Sequence, residues 1–170
     1  MVGLYRPAKS KNMKKTLFIL LFSLTLNAQE RIIALSPAIN EIIFALNAGE
    51  QVVANTDYAL FPEVSKALPK VGGYFSPNLE KIISLKPTIV IMQNNNHKLS
   101  LKLKRLGIKS KVIKIDKLES INSAILEIGL LLKKEKEAKK IVENINLKRS
   151  KLKNIISGKK FSLFLDATQS

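Results

Sequence analysis

The sequence predicts an α/β fold: a parallel sheet with helices on both faces. Two observations lead there. Short apolar or β-branched runs at 32–35, 51–55, 88–92 and 111–115 alternate with stretches whose apolar residues recur at helical spacing. That βαβα order builds parallel strands joined by crossover helices. Helix caps and breakers also stand where one element should give way to the next, among them Ser36-Pro37, Gly72-Gly73, Pro87 and Gly107.

Residues 32–35 read as a buried strand. Ser36 is a good N-cap, and Pro37 suits the first helical position because it has no N–H to leave unpaired. Ile39, Ile42, Ile43 and Leu46 then keep one helical face, and Gly49 is expected to end the helix. The second strand covers 51–55. A loop over 56–68 follows, rich in polar and aromatic residues, with one helical turn near Glu63. Gly72-Gly73 marks a sharp turn. Pro77-Asn78 opens a short helix whose Leu79, Ile82, Ile83 and Leu85 should face inward; Pro87 stops it. The third strand, 88–92, is strongly β-branched. An uncharged polar loop spans 93–97. Leu99, Leu103 and Leu106 then form a helix stripe closed by Gly107.

After the fourth strand, at 111–115, Ile121, Ile125, Ile128 and Leu132 mark one helix. Ala138, Ile141, Val142, Ile145, Leu152 and Ile156 mark a longer one. The apolar phase lapses over 133–136, so two helices with a break are expected. Gly158 should end the second helix. A fresh strand should cover 161–165, and the chain stops at Ser170.

The amino-terminal residues have a different logic. Met13-Lys14-Lys15 is a short basic region, 17–26 is an apolar run, and Ala28 offers a small residue at a cleavage point. This is the pattern of a secretory signal. The run is about ten residues, too short to span a hydrocarbon layer of roughly 30 Å. Residues 1–28 are therefore expected to be a cleaved signal peptide with an upstream extension, Met13 being the natural start.

Bulk composition narrows the function classes. The chain of 170 residues has 46% hydrophobic residues, enough for one core. It has no Cys, which excludes disulfides, thiolate metal sites, a Cys nucleophile and a lipid-modified Cys after the signal. The formal charge is +16, but five of the 29 basic residues precede Gln29. The remaining 24 against 13 acids give +11. The lysines scatter over helix faces without interleaved aromatics, so the charge reads as a solvated surface and no nucleic-acid partner is expected.

No catalytic arrangement emerges. Asp57, Asp116 and Asp166 are scattered at strand ends without pairing. His97 is the only His, and one His without Cys makes no metal site by itself. No phosphate-binding glycine loop is present. Tyr58, Phe61, Tyr74 and Phe75, by contrast, cluster in two loops that follow strands. In an open parallel sheet, ligands sit at the carboxyl ends of the strands.

Three separated motifs carry a resemblance. RIIALSPAINEIIFAL from Arg31, LPKVGG ending at Gly73 and SPNLEKIISLKP from Ser76 resemble the periplasmic solute-binding proteins of ABC importers for vitamin B12, iron-siderophores and haem. The similarity covers about residues 30–166. It implies two α/β lobes joined by one long rigid helix, with the ligand clamped between them. Residues 29–117 would be the first lobe and 118–158 helices including the bridge. Residues 159–170 would begin a second, truncated lobe. It implies ligand contacts from Ser36, Pro37, Ala38, Tyr58, Phe61, Tyr74 and Gln93, and docking of Glu80 into an arginine pocket of the permease.

No catalytic residue, resident cofactor or resident metal is implied. The partners would be the ABC permease and a small-molecule ligand, bound by a periplasmic monomer. The vitamin B12 members carry Trp at the positions of Tyr74 and Gln93, and this chain has no Trp. Cobalamin, haem and a ferric siderophore therefore all stay open, and a Tyr phenolate is a known haem-iron ligand. The rival readings are a binding protein for a small oxyanion such as molybdate, an α/β enzyme, and a basic nucleic-acid-binding protein.

Overall fold

The computed structural model describes the backbone of residues 29–93 and 97–168, so the expected signal peptide lies outside the described residues. Four strands, β1 (Ile32–Ala34), β2 (Val52–Asn55), β3 (Ile89–Gln93) and β4 (Lys109–Ile113), form one sheet in the order β2-β1-β3-β4. Every pairing is parallel, with Ile32 beside Ile89 and Ala34 beside Ile91. The helices are α1 (Pro37–Ala45), α2 (Leu79–Ser84), α3 (His97–Arg105), α4 (Leu118–Leu131) and α5 (Glu135–Thr168).

The apolar runs are split between two faces by the period of two along a strand. Ile32, Ala34, Ile89 and Ile91 point to one side, where Ile39 and Ile43 of α1 and Ile125 and Ile128 of α4 cover them. Ile33, Leu35, Val90 and Met92 point to the other, against Ile82 of α2 and Leu103 of α3. Both faces of the central strands β1 and β3 are thus buried, and Gln93 is their one polar residue, whereas the partly exposed edge strand β4 carries Lys109, Ser110 and Lys111.

Several expectations move by a turn or less. α1 ends at Ala45, not at Gly49, because the Leu46 N–H closes the last turn onto the Ile42 carbonyl and Asn47 takes a left-handed φ of 55°. Asn tolerates that conformation, so no glycine is needed there. β4 begins two residues earlier than read. Ile83 and Leu106, expected inward, are 41% and 51% exposed. A helix as short as α2 presents a narrow inner stripe, and Ile82 fills it. Leu106 lies past the last residue of α3. His97, read as loop, is the first residue of α3.

The expected strand at 161–165 is helical instead, since α5 runs through Gly158 to Thr168. A helix closes its backbone hydrogen bonds within itself, whereas a strand needs a neighbour. Among the described residues no strand pairs with this segment.

Candidate binding wall at the strand ends

The strand order creates the site. The chain leaves β1 toward β2, then returns across β1 to reach β3. At the β1–β3 boundary the helices that follow lie on opposite faces, which opens a crevice outside the carboxyl ends. Pro37 and Ala38 start α1 directly after β1, Tyr58 lies in the loop after β2, Gln93 ends β3 and Ile115 follows β4. With Tyr74 they line one open depression of about 500 Å³.

Five of the seven expected contact residues therefore share a surface. The other two do not. Ser36 is 1% exposed, and its hydroxyl accepts the Ile39 N–H at 3.1 Å as the N-cap of α1. Phe61 is largely exposed but does not line the depression; its contribution here is a carbonyl that accepts from the Asn40 side chain at 2.7 Å.

The two ring-bearing loops are held by backbone bonds. Asn55 N–H donates to the Pro69 carbonyl at 3.1 Å, Val71 N–H to the Asn55 carbonyl at 3.0 Å, and Asp57 N–H to the Gly72 carbonyl at 3.1 Å. Gly72 has φ of +99°, and a Cβ there would stand 3.0 Å from the Ser76 carbonyl oxygen. Glycine is therefore required at this turn. Gly73 lies beside the Tyr58 ring, and a Cβ added there would meet Tyr58 Cε2 at an ordinary contact distance of 3.8 Å. The Tyr74 and Phe75 rings pack edge to face, 4.7 Å between centroids.

Beneath the loops lies a polar network that sequence reading missed. Asn40 Nδ2 donates to Ser65 Oγ at 2.8 Å as well as to Phe61, and Asn40 Oδ1 accepts from Asn55 Nδ2 at 3.2 Å. Lys70 Nζ donates to Asn55 Oδ1 at 2.7 Å and to the Ser65 carbonyl at 2.9 Å. Asn40, Asn55 and Ser65 are fully buried. Burial holds the Lys70 ammonium below the usual lysine range, with the nearby Asp57 carboxylate opposing. The available signal was Asn40 itself, a polar residue on the apolar stripe of α1 between Ile39 and Ile43.

Glu80 lies exposed in the first turn of α2, whose N-cap Asn78 accepts the Lys81 N–H at 2.9 Å. Among the described residues no group of three His, Cys, Asp or Glu side chains could hold a metal ion.

A crevice at the switch point of a parallel sheet is common to many α/β proteins; the match over sequence is more specific. The family described as periplasmic binding protein matches residues 32–166. The chain belongs to that family. A vitamin B12-binding protein of Vibrio vulnificus is 38% identical over 123 residues, which span 69% of this periplasmic binding protein and 45% of the relative. The vitamin B12 binding protein BtuF of Vibrio cholerae superposes with a TM-score of 0.66 at 27% identity, covering 74% of this chain and 50% of that one. The haem-binding protein HutB of Vibrio cholerae gives 0.68 at 28% identity, covering 75% and 50%. The chain spans about half the length of the relatives it matches.

Proposed function

We propose that this periplasmic binding protein captures a large metal-bearing ligand (cobalamin, haem or a ferric siderophore) and presents it to the permease of an ABC importer. The observation that carries the reading is the depression that joins Tyr58 and Tyr74 to Pro37, Ala38 and Gln93 at the switch point. Aromatic rings next to an apolar helix start suit a broad planar macrocycle, because they bury large area with little loss of side-chain freedom. The names of the similar proteins, vitamin B12-binding and haem-binding, support the same ligand class.

In this reading Ser36 and Phe61 support the wall rather than form its surface. Glu80 pairs with an arginine of the permease, a charge-assisted bond that fixes orientation. α5 is the bridge toward a second lobe that supplies the facing wall, with residues 159–170 leading into it. Residues 1–28 direct export and are removed after Ala28. The protein works as a monomer and makes or breaks no covalent bond. Ser36 is 1% exposed, which speaks against seating a small oxyanion on its hydroxyl.

The test is titration of the full chain with cyanocobalamin and with haemin, followed by absorbance and calorimetry. Saturable binding of either, weakened by Tyr58→Ala and Tyr74→Ala, is expected. Binding to neither, nor to a ferric siderophore, refutes the proposal.

A further inference from the structure

The turn that carries Tyr74 into the depression carries Phe75 out of it on the other side. Phe75 is 83% exposed and borders a second cleft, of about 590 Å³, between the 75–77 turn and α3. Pro77 and Leu79 give this cleft apolar surface, Lys98 and Lys102 give it charge, and His97 adds an imidazole. Among the described residues no acidic side chain lines it.

Lys98 stands where a helix least favours a cation. His97 and Lys98 occupy the first turn of α3, where the aligned peptide dipoles already place partial positive charge. Lys98 and Lys102 are four residues apart on the same helix, a like-charge spacing that destabilises it. The first turn of α3 contains no acid to offset them. An anion in the cleft removes both penalties at once, and the exposed Phe75 ring offers a face to whatever body carries the anion.

We infer that this cleft is a second binding site, for a carboxylate carried on an aromatic ring. It is separate from the wall formed by Tyr58 and Tyr74 and does not depend on which ligand that wall takes. The ring of the ligand lies against Phe75 and Pro77, and its carboxylates lie against Lys98, Lys102 and the start of α3.

Because His97 is the only His in the chain, its ring protons give unambiguous NMR signals. Benzene tricarboxylate titrated into the full chain should shift those signals saturably. Lys98→Glu combined with Lys102→Glu should weaken binding by about tenfold or more, as loss of two charge-assisted contacts implies. Phe75→Ala should also weaken it, and inorganic phosphate should bind less well than the aromatic carboxylate. Tyr58→Ala should leave it unchanged. A control pair, Lys139→Glu with Lys140→Glu on the exposed face of α5, should have little effect. Equal weakening by the two charge-reversed pairs would reduce the site to the general positive field and overturn the inference. So would His97 signals that do not move, or a Phe75→Ala variant that binds as the wild type does. Failure here leaves the cobalamin and haemin titrations unaffected, so the two proposals are judged separately.

Discussion

Replacing Asn40 by Ala tests whether the buried polar network holds the loop that carries Tyr58 and Phe61. Three hydrogen bonds disappear: those from Nδ2 to the Phe61 carbonyl and to Ser65 Oγ, and the one Oδ1 accepts from Asn55. At about 0.5–1.5 kcal/mol net for each, the loss is about 2–4 kcal/mol. Stripping Ser65 of a partner in a fully buried site pushes toward the upper end, because an unpaired polar group there keeps its desolvation cost. Set against a typical folding stability of about 5–15 kcal/mol, the change is large. Urea unfolding followed by far-UV circular dichroism should show a lower midpoint with an unchanged slope, the signature of lost stability without a change in exposed area. Asn40→Asp is the companion variant. It keeps the shape and the acceptor but turns the amide donors toward Phe61 and Ser65 into oxygens, and should cost at least as much. A loss below about 1 kcal/mol in Asn40→Ala would refute the reasoning, because three paired buried groups cannot be worth so little.

The remaining expectations concern packing, charge and docking. Gly129→Ala should destabilise by about 1–3 kcal/mol, since an added Cβ would stand 2.5 Å from Ala138 Cβ where α4 and α5 cross; an unchanged melting temperature contradicts that close approach. Thr56→Val should be neutral or stabilising by up to about 1 kcal/mol, because the Thr56 hydroxyl is buried with no hydrogen-bond partner, and clear destabilisation in the same urea assay would argue for one. Lys70 binds its proton less tightly folded than unfolded. Below its folded pKa that mismatch costs stability, and the cost is relieved as pH rises toward the ordinary lysine value. Wild type should therefore gain on Lys70→Met over that alkaline window, and a steady fall in the difference runs the wrong way. Glu80→Arg should leave folding and ligand titration intact while weakening co-purification with the cognate permease; undiminished capture removes Glu80 from the docking surface.

Much of the fold was legible because burial on both faces of a parallel sheet writes itself into composition. A run such as residues 89–92 leaves little room for another reading, and Ser36-Pro37 announces a helix start through local hydrogen bonding alone. The failures share a cause. Ile83 and Leu106 have the right periodicity, but which apolar residue is covered depends on where the next element sits. The 161–165 segment has strand composition yet is helical, because strand formation requires a partner that local sequence cannot supply.

The site divides in the same way. Tyr58, Tyr74 and Gln93 were legible as loop or strand-end residues, and parallel topology sends all such ends to one rim. Phe61 was read by the same rule and does not line the depression, because the Asn40 bond fixes its backbone rather than aiming its ring. The network of Asn40, Asn55, Ser65 and Lys70 includes a hydrogen bond between residues 25 positions apart, and bonds at that separation exist only after the chain has folded.

Residue order alone determined the alternation of elements, the two-faced core and the loops that carry aromatic rings, since these follow from backbone geometry and burial within a few residues. Tertiary structure decided which rings meet, which expected contact residue is buried, and where two lysines and His97 come together beside Phe75. Those outcomes depend on distances between segments, and such distances are set by the packing of the whole sheet.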